Sequence, residues 1–210
     1  MIYDSIDDLI CAIEYSFKYP FSDTESKYGS SIQGFSAFLL SPLIIPLAIL
    51  IGYMLDIRES ALHGNKVPKF ESYDRLMKEG FKGLLVYSPI ISIIFLSFIF
   101  SFIIPQLLMF CILAMYLWPA ASLMYAIKRD YKEVYNEEFF NLITSKFYIK
   151  SYIISLLLLT LLIILIISIG SLTLGIGMLA LIPILLYFRP SFWGYIVRNN
   201  KNNPLSEIVS

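Results

Sequence analysis

Apolar and polar positions along this chain fall in long blocks rather than at the short periods of a water-soluble fold. Three stretches, Tyr28 to Leu55, Gly83 to Ile127 and Ser151 to Phe188, hold no Asp, Glu, Lys, Arg or His and run for 28, 45 and 38 residues. A helix needs roughly 20 apolar residues to cross a bilayer. The blocks therefore divide into one, two and two spans, at about 34–55, 84–104, 107–127, 152–170 and 175–195. Lipid offers the backbone no hydrogen-bond partner, which leaves helices as the way to carry such runs. The predicted fold class is all-α: a polytopic transmembrane helical bundle with amphipathic interfacial helices. Residues 1–33 are read as an N-terminal interfacial segment, 34–197 as the membrane domain and 198–210 as a polar tail.

Outside the apolar blocks the pattern changes to a helical period. Ile6, Leu9, Ile10, Ile13 and Phe17 share one face, with Asp7, Asp8, Glu14 and Lys18 on others; Ser5 with Asp8 looks like a capping box, and Pro20 stops the run. This predicts an amphipathic helix over 5–19, lying at the membrane interface or packed on the protein's own loops. The two central loops share a plan. Each leaves a span through an arginine, Arg58 or Arg129, and returns through an amphipathic helix. In the first, Phe70, Tyr73, Met77, Phe81 and Leu84 mark one face against Glu71, Asp74, Arg75, Lys78 and Lys82. In the second, Phe139, Phe140, Ile143, Phe147 and Tyr148 alternate with Glu137, Glu138, Lys146 and Lys150. A duplicated unit of span, interfacial helix and span is one reading of that likeness, and it expects the two hairpins to superpose. Pro42 and Pro46, one turn apart, predict a bent or re-entrant first segment. Pro105 and Gln106 predict a tight hairpin. Ser88 with Ser92, Ser97 with Ser101, Ser171 with Gly175 and Gly177 with Ala180 provide small residues for close helix contact.

Charge enters through its placement. Sixteen basic and sixteen acidic residues cancel, so no global field attracts nucleic acid. Fourteen of the sixteen Lys and Arg lie in residues 56–82, residues 128–150 or the C-terminal end, and only Lys18 and Lys27 lie elsewhere. Cytoplasmic loops attract Lys and Arg. The expectation is a cell-membrane protein with its C-terminus and basic loops inside and its N-terminus outside, or inside if the first segment is re-entrant. The acidic start, Asp4, Asp7 and Asp8, is not that of a cleaved signal. Cys11 and Cys111 are expected to be buried thiols rather than a disulfide or metal pair.

At Gly52-Tyr53 begins the run GYMLDIRESALHGNKVPKFESYDRLMKEGFKG. It resembles the domain of unknown function 4013 family, membrane proteins found mainly in archaea. The matching positions are Gly52, Tyr53, Arg58, Gly64, Pro68, Phe70, Tyr73 and Gly80. Tyr19-Pro20-Phe21 is similar to the family's opening motif, and Tyr125-Ala126 with Phe139 to its second loop. The resemblance covers most of the chain and carries no assigned chemistry. Asn65-Lys66-Val67 stands where salt-loving members have an acidic loop, which argues against a cation site there.

The sequence holds few candidates for chemistry. His63 is the lone histidine and cannot build a closed metal site by itself. No phosphate loop, dinucleotide fingerprint, nucleophile elbow or His-Glu metal helix is present, so no catalytic, cofactor-binding or metal-binding residue is assigned. A catalytic carboxylate pair would need Asp56 or Glu59 to meet Asp74 or Glu71, and ion pairs with adjacent lysines are the plainer expectation. Arg189 is the one ionisable residue inside a predicted span, a costly placement. It is expected to snorkel to headgroups within the aromatic belt of Tyr187, Phe192, Trp193 and Tyr195. The functional expectation is a non-catalytic scaffold, assembly or lipid-organising protein, with membrane lipids and a membrane-protein partner or second copy as its company. The rivals are a small transporter or channel, because prolines at 42, 46, 89, 105, 119 and 183 interrupt the spans, and a lipid-modifying enzyme with loop carboxylates at headgroup level.

Overall fold

Seven α-helices and no strand make up the described residues of the computed structural model, which are 6–21, 44–70, 72–102, 104–172, 176–199 and 205. They are α1 (Ile6–Lys18), α2 (Ile44–Leu62), α3 (Tyr73–Ser101), α4 (Leu108–Lys128), α5 (Glu137–Thr144), α6 (Lys146–Leu172) and α7 (Ile176–Asn199), with short 3-10 turns at Tyr19–Phe21 and Pro105–Leu107. The capping box at Ser5, the bend at Pro42, the loop position Glu71, the turn through Gly175 and nearly all of the C-terminal tail lie outside the described residues.

The α2 helix is central, packed on α3 and α7; α3 pairs with α4, α6 with α7, and α1 lies on α7. Small residues set these crossings. A methyl on Gly52 would overlap the Leu76 carbonyl, and one on Gly80 the Ala48 carbonyl. The two glycines therefore let the α2 and α3 backbones touch, as small residues do between helices in lipid. Gly194 serves α2 and α7 in the same way, since a methyl there would fall 2.6 Å from Ala61 Cβ.

Packing is uneven along the bundle. At one end Trp193, Tyr53, Tyr125, Tyr148, Tyr187, Phe188 and Phe192 are fully buried. Towards the other end the surface is apolar: Phe95, Phe98, Phe102, Met109, Ile112, Leu157 and Ile164 are exposed. In the apolar window of α6 only 17% of residues are buried. Water-soluble proteins rarely show contiguous apolar patches above a few hundred Å2, and lipid is the solvent this surface fits. Three helices, Tyr73–Ser101, Pro105–Lys128 and Lys146–Ile169, are long and apolar enough to cross a membrane.

Several local expectations change. The first amphipathic helix and the span after it are one helix, α3, whose 29 residues extend about 44 Å. Phe70 precedes this helix and is buried, whereas Tyr73 and Phe81 are 55% and 42% exposed. The buried stripe is instead Leu76, Gly80, Gly83 and Tyr87, because α2 approaches along the glycines. The second loop is built differently. Asn136 caps α5 by accepting the Phe139 N–H at 3.1 Å. Ser145 then ends α5 and opens α6, its hydroxyl donating to the Leu142 carbonyl at 2.6 Å and accepting the Tyr148 N–H at 3.1 Å. Cys11 is exposed rather than buried, and Cys111 is half-buried.

The α1 helix sits at the aromatic, charged end of the bundle. Tyr15 stacks on Tyr195 with ring centroids 4.7 Å apart, and the Arg198 guanidinium lies 5.4 Å from both rings. The Tyr19 hydroxyl reaches the Ile57 and Lys66 carbonyls at 3.4 Å. The N-terminal helix and the basic loops thus share one end of the bundle.

Candidate functional site

Most of the motif residues around the first loop meet in one packed unit. The Tyr53 hydroxyl donates to the Pro68 carbonyl at 3.2 Å and lies 3.0 Å from the Tyr187 hydroxyl. Phe70 meets the Tyr53 ring edge-on at 4.6 Å and the Tyr73 ring at 5.7 Å. Gly64 ends α2 at φ +73°, a left-handed conformation that glycine adopts without penalty, and the Asn65 N–H closes onto the Ser60 carbonyl at 2.8 Å. Gly52, Tyr53, Gly64, Pro68, Phe70 and Gly80 are thereby accounted for by packing and chain reversal. His63 is exposed, its Nδ1 2.9 Å from the Glu59 carbonyl.

Charge gathers beside this unit. Asp56, its side chain 6% exposed, receives both Arg75 nitrogens, at 3.3 and 2.5 Å. Arg129 binds three carboxylates: Asp56 at 3.3 Å, Glu79 at 3.4 Å, and Glu59. Glu79 also accepts from Lys82 at 2.8 Å and from the Tyr125 hydroxyl at 3.0 Å. Three carboxylates face three cations, drawn from α2, α3 and the end of α4. Arg129 holds its place through backbone geometry: it is the C-cap of α4 at φ +54°, its N–H on the Tyr125 carbonyl at 2.9 Å. For a non-glycine residue that conformation costs about 1 kcal/mol. Asp56 and Glu59 are paired with Arg75 and Arg129 rather than with the adjacent lysines expected. Farther round, Lys128 meets Glu138 at 2.9 Å and holds that carboxyl below its ordinary pKa. No carboxylate of the α2–α4 cluster stands free for acid–base work, and the described residues hold no group of His, Cys, Asp and Glu able to bind a metal ion.

Two tyrosines from the second loop repair proline breaks. Pro119 sits inside α4. The Tyr148 hydroxyl enters the adjacent rung, accepting the Ala120 N–H at 3.2 Å and donating to the Tyr116 carbonyl at 2.5 Å. At Pro89 in α3, Ser88 donates to the Leu85 carbonyl at 2.8 Å and Tyr135 to the Val86 carbonyl at 2.5 Å. Hydroxyls occupy the Leu85 and Val86 carbonyls at Pro89 and the Tyr116 carbonyl beside Pro119, so these three are not open carbonyl ligands of a broken-helix ion site.

Arg58 and Arg189 behave differently from every other motif residue. Arg58 is 7% exposed, and its Nε and that of Arg189 are buried without an acceptor. Burial pushes the Arg58 guanidinium down to about 10, partly offset by Tyr87, which leaves it charged at neutral pH. An unpaired charge inside a protein costs several kcal/mol. Arg58 walls a cavity of about 80 Å3 with Tyr87, Trp118, Ile51, Met54 and Leu55. Arg189, expected to snorkel toward headgroups, is half-buried, with its Nε buried and the residue partly exposed. On its side Trp193 Nε1 and the hydroxyls of Ser151 and Ser155 are also buried without partners.

Sequence reasoning missed Arg75, Glu79, Arg129, Tyr125, Tyr135 and Tyr148 as site residues. Arg129 and Tyr125 carried one legible signal, an arginine and an aromatic at the exit of a span. The tyrosines at 135 and 148 carried none, since nothing local pairs them with Pro89 or Pro119.

Residues 35–176 match the family model described as a protein of unknown function, DUF4013. No curated protein and no solved structure matches the chain.

Proposed function

The chain belongs to the DUF4013 family, and from that premise we propose that it is a multi-pass protein of the cell membrane. In this reading it is non-catalytic, holds anionic lipid headgroups on its cytoplasmic face, and organises lipid or a membrane assembly there. The supporting observation is a belt at the charged end of the bundle. Lys78, Lys82, Lys146 and Lys150 are exposed beside exposed Tyr73, Phe81, Phe140 and Ile149, next to the apolar surfaces of α3 and α6. Aromatic rings at headgroup depth and lysines facing anionic lipid are the chemistry of that boundary. The full occupation of Asp56, Glu59 and Glu79 by cations favours a structural role for the charged cluster over an acid–base one. With α1 beside the basic loops, the reading takes both chain ends to one side, with an even number of crossings or a re-entrant first apolar segment.

The test is lipid retention by the detergent-purified protein, offered phosphatidylglycerol and phosphatidylcholine and read by native mass spectrometry. Phosphatidylglycerol should be kept selectively. Replacing Lys78, Lys82, Lys146 and Lys150 by Gln should weaken it by roughly 100-fold or more, at about 1 kcal/mol per lysine. Equal retention of the two lipids by the unaltered chain would remove the support for this role.

A further inference from the structure

The α1 helix carries its apolar stripe on the side away from the protein. At 3.6 residues per turn, Ile10 and Phe17 stand two turns apart on one face, with Ile13 beside them. Ile10 is 52% exposed, Phe17 is 36% exposed and Ile13 is half-buried. The face that docks on α7 is a different one: Ala12 and Ser16 are fully buried, and Tyr15 stacks on Tyr195. A two-residue step turns about 200° around a helix, which sets Ala12 across from Ile10. Ser16 donates its hydroxyl to the Ala12 carbonyl at 2.7 Å and so docks without needing a partner on α7. Exposed Glu14 and Lys18 pair with each other along a third strip. A surface helix of a water-soluble protein turns its apolar side to the core; this one turns it outward.

Two ring contacts fix the direction of the stripe. Tyr195, near the end of α7, holds Tyr15. Phe188 lies two turns earlier, about 10 Å farther from that end, and holds Phe17 with ring centroids 5.4 Å apart. The Phe17 side of α1 therefore looks back along α7, away from the charged end and toward the apolar part of the bundle. Arg198 secures the other side. Its guanidinium lies 5.4 Å from the Tyr15 and Tyr195 rings, a cation over aromatic faces. It also donates to the Ala61 carbonyl, in the last turn of α2, at 3.4 Å, beside Gly64, where a methyl would strike it.

We propose that α1 is a membrane-surface helix, clamped to α7 by Arg198 so that Ile10, Ile13 and Phe17 enter the acyl boundary of the bilayer while Glu14 and Lys18 stay in water. Lipid is the occupant because the stripe points the same way as the exposed apolar surface of the bundle and is bordered by a charged strip, the arrangement of an interfacial helix. Such helices sink about 5–10 Å into the boundary. This rests on the chain being a membrane protein, but it needs no anionic lipid and so stands apart from the lysine belt.

The experiment reads spin labels on the full chain in phosphatidylcholine nanodiscs, which offer the lysine belt no anionic lipid. In a background of Cys11→Ser and Cys111→Ala, single labels are attached through Ile10→Cys, through Lys18→Cys and, at an exposed position of α6, through Leu157→Cys. Collision with oxygen, which concentrates in lipid, is compared with collision with a water-soluble nickel chelate. The oxygen-to-nickel ratio at position 10 should be several-fold higher than at position 18 and approach that at position 157. Equal, nickel-favoured ratios at positions 10 and 18 would put α1 in water, and shielding of position 10 from both reagents would put it under protein, such as a second copy; either result overturns the proposal. A nickel-favoured ratio at position 157 would remove the membrane reading itself, and the proposal with it. Arg198→Gln should free the roll of α1, so that the label at position 18 gains motion and the difference between positions 10 and 18 narrows; Arg198→Lys, which keeps the charge, should restore part of it. Unchanged spectra in Arg198→Gln overturn the clamp. Should that variant fail to fold, Tyr15→Leu, which removes the ring and keeps apolar bulk, should show the same narrowing, and its absence overturns the clamp as well.

Discussion

At the scale of single residues, Arg129 concentrates the most consequence. One side chain joins Asp56, Glu59 and Glu79 and so ties α2 and α3 to the end of α4. Its guanidinium is 28% exposed, which leaves the pairs only partly screened. Arg129→Gln should destabilise the protein by about 2 kcal/mol, seen as a fall of about 4–8 °C in the thermal midpoint in detergent. Asp56 retains Arg75 and Glu79 retains Lys82 and Tyr125, so the loss should stay below that of an isolated buried pair. A midpoint unchanged within error would mean that the cluster contributes no net stability.

Among elements, the relation between the second loop and the two proline-bearing helices stands out. A proline inside a helix removes a donor and clashes with the preceding turn, and in lipid the freed groups find no water. The loop answers with hydroxyls, Tyr148 at the Pro119 break and Tyr135 at the Pro89 break. Tyr148→Phe should cost about 2 kcal/mol, because both the Ala120 N–H and the Tyr116 carbonyl lose their partner. Hydrogen exchange at the Ala120 amide should accelerate by about ten-fold or more, since 1.4 kcal/mol corresponds to ten-fold. Tyr135→Phe should cost less, a single carbonyl being affected. If Ala120 exchanges no faster in Tyr148→Phe, the hydroxyl is not what closes the break.

For the whole molecule, the division into a charged, aromatic-packed end and an apolar, exposed remainder decides how the protein sits. Because α1 rests on α7 beside Tyr195 and Arg198, residue 11 and the loop at residue 65 should be reached from the same side of the membrane. Cys11 is exposed and serves as its own reporter once Cys111 is replaced; Asn65→Cys in a cysteine-free background is the second. With an impermeant thiol reagent, both should be protected in intact cells and labelled in inverted vesicles. Labelling of Cys11 alone from outside would separate the two ends and remove the shared-side arrangement.

Much of this protein is determined by hydropathy. Helices are forced wherever lipid refuses backbone hydrogen bonds, so the all-α class and the clustering of lysines outside the apolar blocks follow from the order of residues. Gly52, Gly64 and Gly80 were legible as special positions within a family pattern, although only the crossing of α2 and α3 shows what two of them make room for. The fusion of the first interfacial helix into α3 was not legible, because Tyr73 to Ser101 holds no stop signal and the buried stripe follows the approach of α2 rather than the local apolar period. The company of Arg129 and the tyrosines at the proline breaks depend on side chains tens of residues apart. Sequence spacing carries no information about such neighbours, since each becomes one only when separate helices pack and exclude solvent.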